Sequence, residues 1–171
     1  GFIPAHAHVP LFAEWTLLAF EEGRNASTAA LDTGRGDGRN VLFIHGEQAA
    51  VGGSDISVAV GLRPDPRRIL SIGVGSGTVS FESLRHTDAE EVWAVDVDGE
   101  LMDLIPFTHP ERVESFRSDR FHFVENDGRH FLQLNDEPFD IIVNDAASYA
   151  WYLELSTLEF NRLVYSQLTD E

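Results

Sequence analysis

The sequence has no cysteine, no lysine and a single methionine. Without cysteine there is no disulfide, no thiolate nucleophile and no cysteine-ligated metal. Without lysine there is no G-x-x-x-x-G-K-[ST] phosphate loop. Long apolar runs are missing too: no stretch approaches the roughly eighteen consecutive apolar residues needed to span a bilayer, and the opening "GFIPAHAHVP" lacks the charged and apolar regions of a signal peptide. The chain is therefore expected to be cytoplasmic and to have no membrane partner. Positive charge is scarce. The 29 acidic residues face 12 basic ones, all arginine, for a formal net charge of −17. Such a surface repels nucleic acid and raises the local concentration of small cationic molecules; acidity serving solubility in a salty environment is the alternative reading.

What is present is enough for a core. At 171 residues and 43% hydrophobic, the chain fits one domain or one domain with a small appendage. From Glu14 to Val51, "EWTLLAF", "NASTAALDT" and "NVLFIHGEQAAV" read as short strands separated by "EEGRN" and "TGRGDGRN", predicting a small antiparallel β region over residues 1–61. "SDISVAVGLRPDP" ends in two prolines and marks the boundary. Beyond it, apolar strands alternate with amphipathic stretches, which predicts an α/β domain over residues 62–171 with a parallel sheet and flanking helices. The strands fall at 68–73, 91–96, 120–124 and 139–144, and the helices at 77–86, 98–106, 128–134 and 156–168. An open doubly wound domain has roughly five to seven strands, so four point to a C-terminally truncated chain.

The chemistry gathers where these strands end. "GVGSG" places Gly73, Gly75 and Gly77 directly after the first strand, clearing side chains from a loop that opens a helix. Asp96 ends the next strand about twenty residues past the loop, where an acid can accept both hydroxyls of a ribose. Asp98 better suits an ordinary helix cap. A dinucleotide loop needs G-x-G-x-x-G; here the third glycine comes one residue early and position 78 is Thr, which matches instead the loop of S-adenosylmethionine-dependent proteins. Asp127 and Gly128 in "VENDGRHFL" end the third strand, with an adenine contact and a helix cap both open. Asp145 ends the fourth and is the candidate general base, with a turn residue as the alternative. His6 and His8 read as part of an exposed terminal segment rather than a metal site. Trp151 and Tyr152 could line an acceptor pocket or pack in the core.

Together "RPDPRRILSIGVGSG", "EVWAVDVD", "VENDGRHFL", "FDIIVNDAAS" and "LSTLEF" resemble the spermidine synthase family of polyamine aminopropyltransferases, and within it the divergent spermidine synthase-like branch. The likeness covers residues 62–171 and extends weakly to "LFIHGEQAAV". It implies a Rossmann-like class I methyltransferase fold. It further implies that the glycine loop, Ser76 included, holds decarboxylated S-adenosylmethionine, that Asp96 takes its ribose and Asp127 and Gly128 its adenine, with Gln48 a further ligand contact. Asp145 falls on the first Asp of the family's D-S-S-D-P motif, the base that deprotonates an acceptor amine such as putrescine. The amine then displaces methylthioadenosine, with no metal. A homodimer is implied in the same way.

The departures bear on that activity. Ser76 stands where the family loop carries an Asp for the ligand's amino group, Ser148 replaces the second motif Asp, and Tyr149 replaces the Pro. Gln48 lies one position early, and a tyrosine-containing segment that helps enclose the diamine is missing between Val51 and Val60. Each acid lost removes negative charge where a diamine would dock. Two other readings therefore remain open: a methyltransferase using S-adenosylmethionine itself, and a non-catalytic adenosyl-ligand-binding domain.

Overall fold

Ile69, Leu70 and Ile72 are at most 2% exposed, and Ser71 between them is 1% exposed. A strand buried on both faces reads as a continuous apolar run rather than an alternating one, and it belongs at the centre of a parallel sheet. The computed structural model, which describes residues 15–23, 26–34, 40–44, 47–48, 54–146 and 150–169, places it there.

Eight strands form two sheets among the described residues. β1 (Thr16–Glu22), β2 (Ser27–Asp32), β3 (Asn40–Ile44) and β4 (Glu47–Gln48) form an antiparallel meander. The run expected as one third strand is thus two, paired through Phe43↔Gln48 and Ile44↔Glu47. The second sheet comprises β5 (Arg68–Ile72), β6 (Glu91–Asp96), β7 (Phe121–Glu125) and β8 (Ile141–Asn144), parallel throughout, in the order β7-β6-β5-β8.

Helices α1 (Ser54–Leu62) and α2 (Thr78–His86) cover one face, where Ile56, Ile69, Leu84, Val92 and Ile141 pack together. Helices α4 (Gly128–Leu134) and α5 (Leu158–Ser166) cover the other, over Leu70, Ile72, Leu132, Phe139 and Phe160. Side chains of β5 point alternately into these two clusters, as the pleat requires. Helix α3 (Leu101–Thr108) joins the sheets. Its Leu101, Leu104 and Ile105 share a core with Ala30 and Leu42 of the meander and with Val74 and Ala94.

Strand ends shift by one or two residues from the sequence reading, the boundary segment contains helix α1, and the helices after β6 and β8 differ further. Helix α3 begins at Leu101 with Glu100 at its cap position, not at 98, and Asp98 is buried at 2% exposed instead of capping it. Helix α3 also runs past Pro106 to Thr108, because a proline in the last turn removes only one intrahelical bond. Helix α5 is shorter than 156–168: a 3₁₀ stretch, Ala150–Ser156, precedes it, and Thr157 caps it by accepting from Phe160 N at 3.2 Å.

Candidate functional site

After β7 the chain crosses behind β6 and β5 to form β8, so the strand order reverses between β5 and β8. In an open α/β sheet a ligand binds in the crevice at the carboxyl ends of strands flanking such a switch point. The glycine loop, residues 73–77, leaves β5 there, and Asp145 leaves β8.

The loop has the backbone that its glycines permit. Gly73, Gly75 and Gly77 lie at φ 90°, 50° and 76°. At Gly73 a Cβ would sit 2.7 Å from the backbone nitrogen of Ala146, so any side chain would push apart the β5 and β8 loops. At Gly75 a Cβ would meet nothing within 4 Å, which leaves the middle of the loop open for a ligand to approach. Gly77 caps α2 without a side-chain bond, and its N–H closes the turn onto Val74 O at 2.7 Å.

Asp96 ties this loop to the next strand. Its Oδ2 accepts the N–H of Val74 at 2.7 Å and its Oδ1 that of Asp98 at 3.1 Å. Burial pushes this carboxyl above its ordinary value, with the Asp98 charge adding to it, while the backbone donors Val74, Asp98 and Val97 oppose. A half-buried acid at a cleft edge, raised by desolvation, is the electrostatic pattern of a functional group.

Asp145 is half-buried, and its N–H donates to Ile72 O at 2.9 Å, which continues the β8 pairing up to the loop. Asn144 before it donates from Nδ2 to Leu155 O at 2.8 Å, tying the end of β8 to the 3₁₀ stretch. Asp127 caps α4, accepting from His130 N at 2.9 Å, so the capping alternative is realised; the residue is exposed at the same sheet edge. At Gly128 a Cβ would lie 2.5 Å from Ile72 Cγ2, so this glycine lets α4 approach β5.

The Ser76 side chain turns inward from the loop. It is 4% exposed, and its Oγ lies 2.9 Å from Thr78 Oγ1, while Arg112 reaches both side chains from behind. Arg112, in a polar stretch without periodicity, carried no sequence signal. The edge thus gathers the glycine loop, Asp96, Asp127, Gly128 and Asp145. Gln48 sits on β4 opposite Phe43, its side chain outside the described residues. Ser148 and Tyr149 lie outside them too, as do the side chains of Trp151 and Tyr152. No helix among the described residues is long and apolar enough to cross a membrane.

An acid-anchored glycine loop at the switch point of a parallel sheet, with open space over its central glycine, defines a Rossmann-like fold with a candidate nucleoside-ligand site. The comparisons with known proteins then give the family. Residues 55–170 match the Spermine/spermidine synthase domain, and the chain belongs to that family. It is 30% identical over 117 residues to a polyamine aminopropyltransferase from Lachnospira eligens, covering 68% of this chain and 41% of that protein. The structure superposes on spermidine synthase from Thermotoga maritima with a TM-score of 0.73 at 20% identity, covering 90% of this chain and 54% of that one. A spermidine synthase structure in complex with the transition state analogue AdoDATO matches with the same TM-score of 0.73 at 20% identity. The chain thus spans about two fifths of its curated relative and about half of its solved neighbours.

Proposed function

We propose that this chain carries the adenosyl-ligand site of an aminopropyltransferase, one that moves an aminopropyl group from decarboxylated S-adenosylmethionine to a small cationic amine such as putrescine. The observation that carries the reading is the convergence of Asp96 and Asp145 on one loop. Asp96 reaches it with its carboxylate, through Val74 N, while Asp145 is held beside it by backbone, its N–H on Ile72 O at the end of β5 and Ala146 close against Gly73. In this reading residues 62–171, with α1 packed on their sheet, hold the ligand, and the meander of β1 to β4 forms a smaller β region beside them. Gly73, Gly75 and Gly77 line the ligand, and Ser76 contributes backbone in place of its hydroxyl. Asp96 accepts the ribose hydroxyls, and Asp127, through the oxygen not spent on capping, and Gly128 receive the adenine. Gln48 adds a contact, and Ser148 and Tyr149 border the acceptor.

The ligand supplies an electrophilic carbon beside its sulfonium. Asp145 takes a proton from the acceptor nitrogen, freeing the lone pair that a protonated amine lacks at neutral pH. A C–N bond then forms as the C–S bond breaks, and methylthioadenosine leaves, without a metal. The net charge of −17 supports a cationic acceptor. A cytoplasmic homodimer fits the same reading.

A second reading, methyl transfer from intact S-adenosylmethionine, is favoured by one observation: the loop offers no acidic side chain, and its one hydroxyl is turned to Arg112. Incubation with putrescine and either sulfonium compound, followed by mass spectrometry, separates them. Methylthioadenosine with spermidine is expected from the decarboxylated compound. S-adenosylhomocysteine with N-methylputrescine establishes the second reading instead. Neither product, with methylthioadenosine still bound, leaves a binding domain.

A further inference from the structure

Between α3 and β7 the chain makes two 3₁₀ turns, Pro110–Arg112 and Ser115–Arg117. Their sequence, "PERVESFR", is polar and without a helical or strand period, so it reads as a surface connection. Arg112 nevertheless is only 7% exposed. Its Nη1 donates to Ser76 O at 2.5 Å, to Thr78 Oγ1 at 2.9 Å and to Ser76 Oγ at 3.3 Å. The guanidinium also lies over the Phe81 ring of α2, 5.4 Å from its centroid. Phe116, from the second turn, packs so close to Gly77 that a Cβ there would sit 2.8 Å from its Cζ. The two turns form a wall behind the glycine loop. Ser76 and Thr78 direct their side chains at that wall, while Gly75 keeps its open side.

This arrangement is costly. A buried guanidinium is normally matched by a carboxylate, and the one paired with Arg112 is the largely exposed Glu111, 3.4 Å from Nε. Nε is buried and makes no aligned hydrogen bond, so the bonds that hold the guanidinium are those of Nη1 to residues 76 and 78. The charge also sits beside the N-terminal end of α2, where the helix dipole disfavours a cation. An apolar side chain would fill the same space at lower cost. What it could not do is hold three oxygens of residues 76 and 78 at once.

We infer that Arg112 is a positioning residue, which fixes the glycine loop from behind in the shape that receives the ligand. The ligand's identity rests on the adenosyl reading above; the fixing of the loop does not. Gly75 and Gly77 give the loop backbone freedom in both directions. Ser76 lies between them, and Arg112 grips it by carbonyl and hydroxyl while gripping the first residue of α2. A ligand then meets an ordered loop and avoids the entropy of ordering it.

The test uses the full chain. Arg112→Met keeps the apolar stem and removes all three bonds; Arg112→Lys keeps the charge and one reaching donor; Thr78→Val removes one acceptor. Amide hydrogen exchange is followed over residues 73–80 without ligand, and methylthioadenosine is titrated by calorimetry. Loss of charge-assisted bonds predicts loop exchange faster by about tenfold or more in Arg112→Met and a Kd raised by a similar factor, with partial recovery in Arg112→Lys. Exchange over β6, residues 91–96, is expected to stay as in the parent. Unchanged loop exchange and unchanged Kd in Arg112→Met overturn the inference, and so does a lower melting temperature with both readouts unmoved, which is the result of packing alone. Should Arg112→Met not fold, loop exchange in Arg112→Lys and Thr78→Val decides: faster exchange supports the inference and parent-like exchange overturns it. If the parent binds no methylthioadenosine while Arg112→Met loosens the loop, the adenosyl reading falls and the positioning role stands.

Discussion

Asp96 and Val74 meet across the end of the sheet, the carboxylate Oδ2 accepting the backbone N–H at 2.7 Å. One side chain of β6 thereby fixes the loop that leaves β5, and its other oxygen fixes the turn that follows β6. The bond ties β6 to the loop of β5, one of the two strands flanking the switch point, and it leaves the carboxylate half-buried and anchored.

With Asp96 as the ribose acceptor of the proposed reading, ligand binding is expected to depend on pH. The folded-state carboxyl lies above its ordinary value, so its contribution to stability is present below that value and is lost as pH rises through the raised one. Ribose binding runs the other way, because the ionised carboxylate is the better acceptor. Affinity for methylthioadenosine is expected to rise with pH through the raised window. In Asp96→Asn it is expected to be flat and about tenfold weaker. Calorimetry between about pH 4 and pH 8 checks this, and a flat curve for the parent would sink the ribose role.

Asp145→Asn separates chemistry from binding. The transferase rate is expected to fall by about a hundredfold or more, the scale of a lost general base, while the Kd for methylthioadenosine holds. An unchanged rate would remove Asp145 from the reaction.

Asp140 holds the opposite end of the sheet. Its Oδ2 accepts from Arg67 N and Arg68 N at 2.7 and 3.0 Å, and its Oδ1 from Arg63 Nη2 at 3.2 Å and Thr169 Oγ1 at 3.0 Å. Burial acts to raise this carboxyl, but those donors outweigh it and hold it below its ordinary 3.8. The stability it contributes is present above that ordinary value and disappears as pH falls through the depressed one. Asp140→Ala is expected to cost about 2–4 kcal/mol at neutral pH by denaturant melts, and less as the pH drops through that acid window.

Gly128 and Ile72 set how close α4 comes to β5. With 2.5 Å between the missing Cβ and Ile72 Cγ2, Gly128→Ala is expected to destabilise by about 1–3 kcal/mol. Ile72→Ala removes that Cγ2, so the double variant should lose less than the two single losses summed. Strict additivity would mean the contact is not what limits the helix.

The parallel sheet was legible because β5 and β6 are apolar at nearly every buried position and the stretches between them carry helical spacing. The placement of the glycine loop, Asp96 and Asp145 on one edge was legible for a related reason: the carboxyl ends of parallel strands converge there whatever the loops do. The spacing of Asp127 could not separate an adenine contact from a cap, since both put a carboxylate at a helix start. The meander's fourth strand was hidden because two residues carry no period. Arg112 was hidden for a deeper reason. Its burial depends on a turn geometry and on an approach to Ser76 across thirty-six positions, and neither leaves a local pattern.

Helix α3 has apolar contacts to both sheets, and Val74 of the glycine loop belongs to the same cluster. Asn40 at the start of β3 adds a bond from Nδ2 to Phe107 O at 2.6 Å. Neither sheet can come apart without stripping this shared core. Heat should therefore melt the meander and the parallel sheet in a single calorimetric transition, and a compound seated on the loop should raise the melting of strands it never touches.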